Sequence, residues 1–126
     1  MKVVHTPASP APRGHYSQAI VHNGLVYVSG TLPKDPSDPD RRPGSVAEET
    51  KQAMRNLASI LGAAGSGLDR LVQVTVYVTD MSMWPDVNRA YAEIMGEHRP
   101  ARAVVPVKDL VDGYRMEVQA IAAVSE

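Results

Sequence analysis

The sequence predicts an α+β fold: one mixed or antiparallel sheet of about six strands, with two helices packed on one face. Three observations predict it. Period-two apolar alternation and helical stripes follow one another in the order β-ββ-α-β-α-β-β. An Asn-Gly step joins two of the strands as a hairpin. No internal repeat and no long linker interrupts the 126 residues, which read as a single domain over 1–126. A chain of this length hides roughly two-thirds of its extended surface on folding, enough for one core.

Val3 to His5 can form a short edge strand. Residues 6 to 14 carry Pro7, Pro10 and Pro12, too many for regular structure, and predict an extended lead-in. Gln18 to His22 and Leu25 to Ser29 are strands joined at Asn23-Gly24, the two positive-φ residues of a type I′ turn. Gly30 to Gly44 is a long loop with Pro33, Pro36, Pro39 and Pro43; loops of this length are either functional or mobile. Ser45-Val46-Ala47-Glu48 is a capping box that opens the first helix. Its apolar stripe is Ala53, Leu57, Ile60, Leu61 and Ala64, with Lys51, Gln52, Arg55 and Asn56 mostly off that face and Gly65 as the stop.

Leu71 to Thr79 is the clearest strand, with Val72, Val74, Val76 and Val78 on the face expected under the helices. Gln73, Thr75, Tyr77 and Thr79 make the opposite face mixed, as faces that meet another subunit often are. The second helix starts near Ser82, tolerates Pro85 in its first turn, and buries Trp84, Val87, Tyr91 and Ile94. Asn88 lies at the edge of that stripe, and by itself reads as a surface residue. Arg99 to Val107 then places a charged tetrapeptide at the mouth of what looks like a buried strand. After a turn at Asp112-Gly113, Tyr114 to Val124 alternates Met116, Val118, Ala120, Ala122 and Val124 against Arg115, Glu117, Gln119 and Ile121.

Composition excludes several classes. Thirteen basic and 14 acidic residues give a net charge of -1, with no clustered basic surface for nucleic acid. There are no cysteines, so disulfides and thiolate chemistry are out. His5, His15, His22 and His98 lack metal-ligand spacing, and no phosphate-loop or dinucleotide motif occurs. No metal or cofactor is expected. The N-terminus has no apolar leader and no run is long enough to span a membrane, so the expected location is the cytoplasm.

What remains is Arg102 as an anion clamp and Glu117 as acid or base, on two successive strands. A planar guanidinium suits a carboxylate gripped by two parallel hydrogen bonds. A glutamate in a partly dry pocket has its pKa raised toward neutrality, which suits proton exchange. The plainer alternative is a strand-end arginine that snorkels to water.

Seven motifs in order resemble the RidA (YjgF-type) imine deaminases, formerly described as L-PSP endoribonucleases. They are Gly14-His15-Tyr16-Ser17-Gln18-Ala19, Asn23 to Gly30, Thr31-Leu32-Pro33, Ala63-Ala64-Gly65-Ser66, Val87 to Tyr91, Pro100-Ala101-Arg102 and Glu117 to Ala122. The resemblance implies a chorismate-mutase-like fold, a homotrimer with pockets between subunits, and hydrolysis of 2-imino or enamino acids to 2-oxo acid and ammonia. It implies that Arg102 grips the substrate carboxylate and that Glu117 handles water and proton transfer. Tyr16, Ser29, Gly30 and Asn88 map to pocket-lining positions, joined by the backbone amide of Val104. His15, Thr31, Ala103, Val104, Pro106 and Gln119 depart from the family's usual residues, so the side-chain surroundings of the clamp have changed. A trimeric module that binds a carboxylate metabolite without turnover is the second reading. A ribonuclease is the third, and the net charge of -1 argues against it.

Overall fold

In the computed structural model of the chain, which describes residues 1–42 and 44–125, Asn23 and Gly24 have φ of 50° and 77°. These are the two left-handed residues that match a hairpin turn to the twist of its strands. They join β2 (Ala19–His22) to β3 (Leu25–Thr31), and β1 (Lys2–Val4) pairs with the outer side of β2. The remaining strands are β4 (Leu71–Val78), β5 (Ala101–Pro106) and β6 (Met116–Ala123), and the helices are α1 (Val46–Ala63) and α2 (Trp84–Met95). All six strands form one sheet in the order β1-β2-β3-β6-β4-β5. Among the described residues only β4 and β5 run parallel, because α2 carries the chain back between them. The sheet is mixed and the fold is α+β, as expected.

Alternation decides which face is covered. Val74, Val76 and Val78 on β4 and Met116, Val118, Ala120 and Ala122 on β6 are all buried beneath the helices. From α1 they meet Ala53, Met54, Leu57, Ile60 and Leu61, and from α2 Val87, Ala90, Tyr91 and Met95. Each large apolar side chain withdrawn from water here stabilises the fold by roughly 1.5–3 kcal/mol. The opposite face carries Tyr27, Gln73, Thr75, Tyr77, Glu117, Gln119 and Ile121 and, among the described residues, has no helix over it; Tyr27 there is 44% exposed.

The helix ends follow the sequence signals. Ser45 accepts the Glu48 backbone N–H at 3.1 Å, and the Glu48 carboxylate reaches back to the Gly44 N–H at 3.5 Å. The Asp80 side chain accepts the Ser82 N–H in a short 3₁₀ turn over Met81–Met83, which leads into α2 with Pro85 in its first turn.

Four expectations change. Val72 is 48% exposed and Leu71 only 2%, because a register shift between Leu71 and Gln73 turns Val72 away from the core. The last strand begins at Met116; Tyr114 is buried beside it and Val124 lies beyond its end. β5 is an edge strand of which Ala101, Arg102, Ala103 and Pro106 are exposed, so it is not buried within one chain. Gln52 and Asn56, expected mostly off the core face of α1, are 8% and 1% exposed and join Glu49 in a buried polar stripe. Of the long loop, Pro43 lies outside the described residues.

Candidate functional site

The first half of the site is built around a bulge. Val28 pairs with Ala120 and Thr31 with Val118, so Ser29 and Gly30 together face a single residue of β6. Bulges re-aim backbone and side chains beside active sites. Here the bulge brings Gly30 against the Glu117 carboxylate, so close that a Cβ at Gly30 would collide with Glu117 Oε1. Only glycine lets the glutamate lie over the strand. Thr31 Oγ1 closes the bulge by donating to the Ser29 carbonyl at 2.9 Å, and Ser29 Oγ donates to the Ser17 carbonyl.

The proline-rich lead-in forms the far wall, and one buried amide fastens it. Gln18 Nε2 donates to the carbonyls of Thr6, Ser9 and Pro10 at 3.1, 3.3 and 3.0 Å, while its Oε1 accepts the Thr6 N–H at 2.8 Å. A segment whose prolines cannot donate is thus held through its carbonyls. The result is a cleft of about 600 Å³ in which Tyr16, Ser29, Gly30 and Glu117 meet, together with Lys34, Asp112 and Gln119. Burial pushes the Glu117 carboxyl above its ordinary value of 4.5. A proton at Glu117 therefore sits closer to neutral pH than on a solvated glutamate.

The second half lies elsewhere on the chain. Arg102 pairs with Val74 and Val104 with Val76 across β4 and β5, which puts Arg102 and Val104 on the helix-covered side of the sheet. The Arg102 guanidinium stands 4.8 Å from the Trp84 ring centroid and 5.0 Å from that of Tyr91, and donates to Asn88 Oδ1 at 3.0 Å. Two aromatic faces and an amide orient the cation without neutralising it. Burial pushes the Tyr91 phenol up against the opposing pull of Arg102, so the ring meets the guanidinium as a neutral phenol.

Of the residues expected at the site, Tyr16, Ser29, Gly30 and Glu117 converge on one cleft, and Arg102 and Asn88 converge at a second place. Glu117 pairs with Tyr77 on the uncovered face, opposite the side that carries Arg102. Within one chain the two groups do not meet. The departures divide likewise: Thr31 lines the cleft beside Gln119, His15 and Pro106 are exposed, Ala103 aligns with Thr75 on the uncovered face, and Val104 packs against the core.

Sequence reasoning did not pick out Gln18, Lys34, Asn56 or Asp112 as architects of the cleft. The signals present were the place of Gln18 in the Gly14–Ala19 motif and the spacing of Glu49, Gln52 and Asn56 along one side of a helix, which by itself reads as a solvent face. Among the described residues no group of three or more histidine, cysteine or acidic side chains is placed to hold a metal, and no helix is long and apolar enough to cross a membrane.

Comparison with known proteins gives a consistent answer. The family model described as Endoribonuclease L-PSP matches residues 6–124. A 2-iminobutanoate/2-iminopropanoate deaminase from Rattus norvegicus is 43% identical over 121 residues, covering 96% of this chain and 88% of the relative. The crystal structure of RidA from an Antarctic Psychrobacter has a TM-score of 0.93 and 33% identity, covering 98% of this chain and 100% of that one. The structure of E. coli TdcF with bound serine has a TM-score of 0.94 and 28% identity, covering 99% and 100%.

Proposed function

Because the chain belongs to the Endoribonuclease L-PSP family, the family of the RidA-type proteins, we propose that it hydrolyses small 2-imino or enamino acids to 2-oxo acids and ammonia. The observation that carries the reading is Glu117, a half-buried carboxyl held over a glycine bulge and open to a cleft. The deaminase name of the rat relative and the serine bound to TdcF support a small carboxylate-bearing substrate.

The chemistry asks little of the protein. A protonated imine carbon is already electrophilic, so orientation and one proton relay suffice. Glu117 in its carboxylate form takes a proton from water as the oxygen bonds to the imine carbon. Glu117 then passes that proton to the nitrogen and, as the C–N bond breaks, takes the hydroxyl proton back, so that the carbonyl forms and ammonia leaves. Arg102 grips the carboxylate and holds the imine carbon in line with the water. Tyr16, the backbone at Ser29-Gly30 and the Val104 amide line the pocket.

Since Arg102 and Glu117 stand on opposite sides of one sheet, the site is composite. The cleft of one subunit receives the Arg102 edge of the next, in a trimer whose subunits cover one another's uncovered faces. That face supports the assembly: it exposes Tyr27 and carries a depression of about 210 Å³ lined by Tyr27, Gln73, Thr75 and Ile121.

The test is ammonia and oxo-acid release from imines generated in situ by an amino-acid oxidase. Arg102→Ala and Glu117→Gln are each expected to lower kcat/KM by at least ~10²-fold. Wild-type rates in both variants remove the reading. The alternative, binding without turnover, is favoured by the apolar Ala103-Val104 step beside the clamp. Its signature is saturable, Arg102-dependent binding of a 2-oxo acid with no ammonia released.

A further inference from the structure

Lys34 sits in the loop after β3, and its place is fixed from behind. Asn56 of α1, buried to 1% exposure, donates to the carbonyls of Leu32 and Lys34 at 2.9 and 2.7 Å. Its own oxygen accepts from Gln52 Nε2 at 3.0 Å. A lysine on a loop ordinarily extends its ammonium into water. This one is held in the wall of the Glu117 cleft with its side chain only 13% exposed.

The ammonium is underpaired there. It has three N–H groups, and among the described residues one partner meets it, Asp112 Oδ2 at 3.4 Å. That is long for a charge-assisted bond, which runs about 2.7–2.9 Å. Arg13 approaches the same oxygen at 3.3 Å, so two cations share one carboxylate oxygen. Asp112 is itself in the left-handed region, at φ 59°, a conformation that costs a non-glycine residue energy. A largely secluded cation with donors to spare favours an anionic ligand that completes it.

We propose that Lys34, aided by Arg13, forms a second anion-binding subsite in the cleft, which takes a distal carboxylate and directs the chain toward 2-imino dicarboxylic acids. The inference rests on the imine-hydrolysis reading, in which Arg102 holds the first carboxylate and Glu117 works on the carbon beside it. A monocarboxylic imine leaves the ammonium with the long Asp112 contact alone, and a dicarboxylic one supplies further acceptors. Sites built around a buried polar group discriminate strongly, because the wrong ligand leaves that group unpaired.

The test compares kcat/KM for an imine made in situ from aspartate with that for one made from alanine, each by an appropriate oxidase. Wild type is expected to favour the dicarboxylic imine. Lys34→Met is expected to lower the ratio roughly tenfold or more, and Asp112→Asn, which tolerates the left-handed backbone, to raise it. Calorimetric titration with 2-oxoglutarate and 2-oxobutanoate reads the same preference without turnover, and thermal melting checks that each variant is folded. A ratio unchanged in folded Lys34→Met overturns the subsite while the deaminase reading stands. Absent turnover, or turnover indifferent to Arg102→Ala, overturns the deaminase reading; the titration then judges the subsite alone, and equal binding of both acids by wild type and Lys34→Met ends it.

Discussion

Glu117 costs the fold something in order to be useful. Burial raises its pKa in the folded state above the ordinary value of 4.5, so the folded protein holds that proton more tightly than the unfolded chain. The stabilisation this gives is complete below 4.5 and is lost as pH rises through the folded-state value. Near neutrality the ionised carboxylate is a liability. Glu117→Gln is therefore expected to melt at a higher temperature than wild type at pH 7, with the gap closing as pH falls below 4.5. Wild-type kcat/KM should rise across the same window, as the carboxylate that accepts the water proton forms. Parallel melting curves at all pH values would show that the cleft does not strain this carboxyl. At this scale the sequence was legible for residue type and not for placement. Arg102 and Glu117 stood out through the motifs around them, but an arginine beside an apolar run carries no sign of which side of a sheet it takes. Lys34 was invisible for a different reason: a loop has no periodicity, and its burial depends on an asparagine 22 positions away.

At the scale of elements, α1 does two things with adjacent stripes. Leu57 and Leu61 pack on the sheet, while Glu49, Gln52 and Asn56 form a buried polar stripe beside them. Glu49 accepts from the Arg115 backbone and side chain and so holds the entry to β6; Asn56 holds the entry to the long loop. Asn56→Leu removes both donors from the part-buried carbonyls of Leu32 and Lys34. It is expected to cost about 2–4 kcal/mol in chemical denaturation, whereas Lys51→Ala on the exposed side should stay within about 0.5 kcal/mol. A mild Asn56→Leu would mean that the loop does not depend on the clamp. Hydrophobic periodicity made both helices, the hairpin and the long strands readable. It could not reveal the polar stripe, because three polar residues at helical spacing read as a solvent face until something is known to cover them. Nor could it reveal the bulge in β4, where Val72, Val74, Val76 and Val78 alternate without a break, yet one extra residue opposite β6 turns Val72 outward.

The largest part of the proposed mechanism belongs to no single chain. In the proposed site one subunit would offer a cleft with Glu117 and another an edge strand with Arg102, because the sheet separates the two within one chain. This arrangement makes a prediction that a self-contained site would not. Arg102→Ala subunits keep intact clefts, and Glu117→Gln subunits keep intact arginine edges. If the variants are co-expressed and mix randomly, about a quarter of the interfaces in a cyclic assembly pair a good cleft with a good edge. Two nearly inactive proteins should then regain roughly a quarter of wild-type activity, each working interface turning over independently. A site within one chain gives no recovery at any mixing ratio, since every cleft then lacks one of its two groups. Light scattering on the same samples fixes the assembly. A trimer that regains activity supports the composite site, and a trimer that fails to do so overturns it. A monomer removes the shared pocket, and with it the reason for an arginine held by Trp84, Tyr91 and Asn88 at the edge of the sheet.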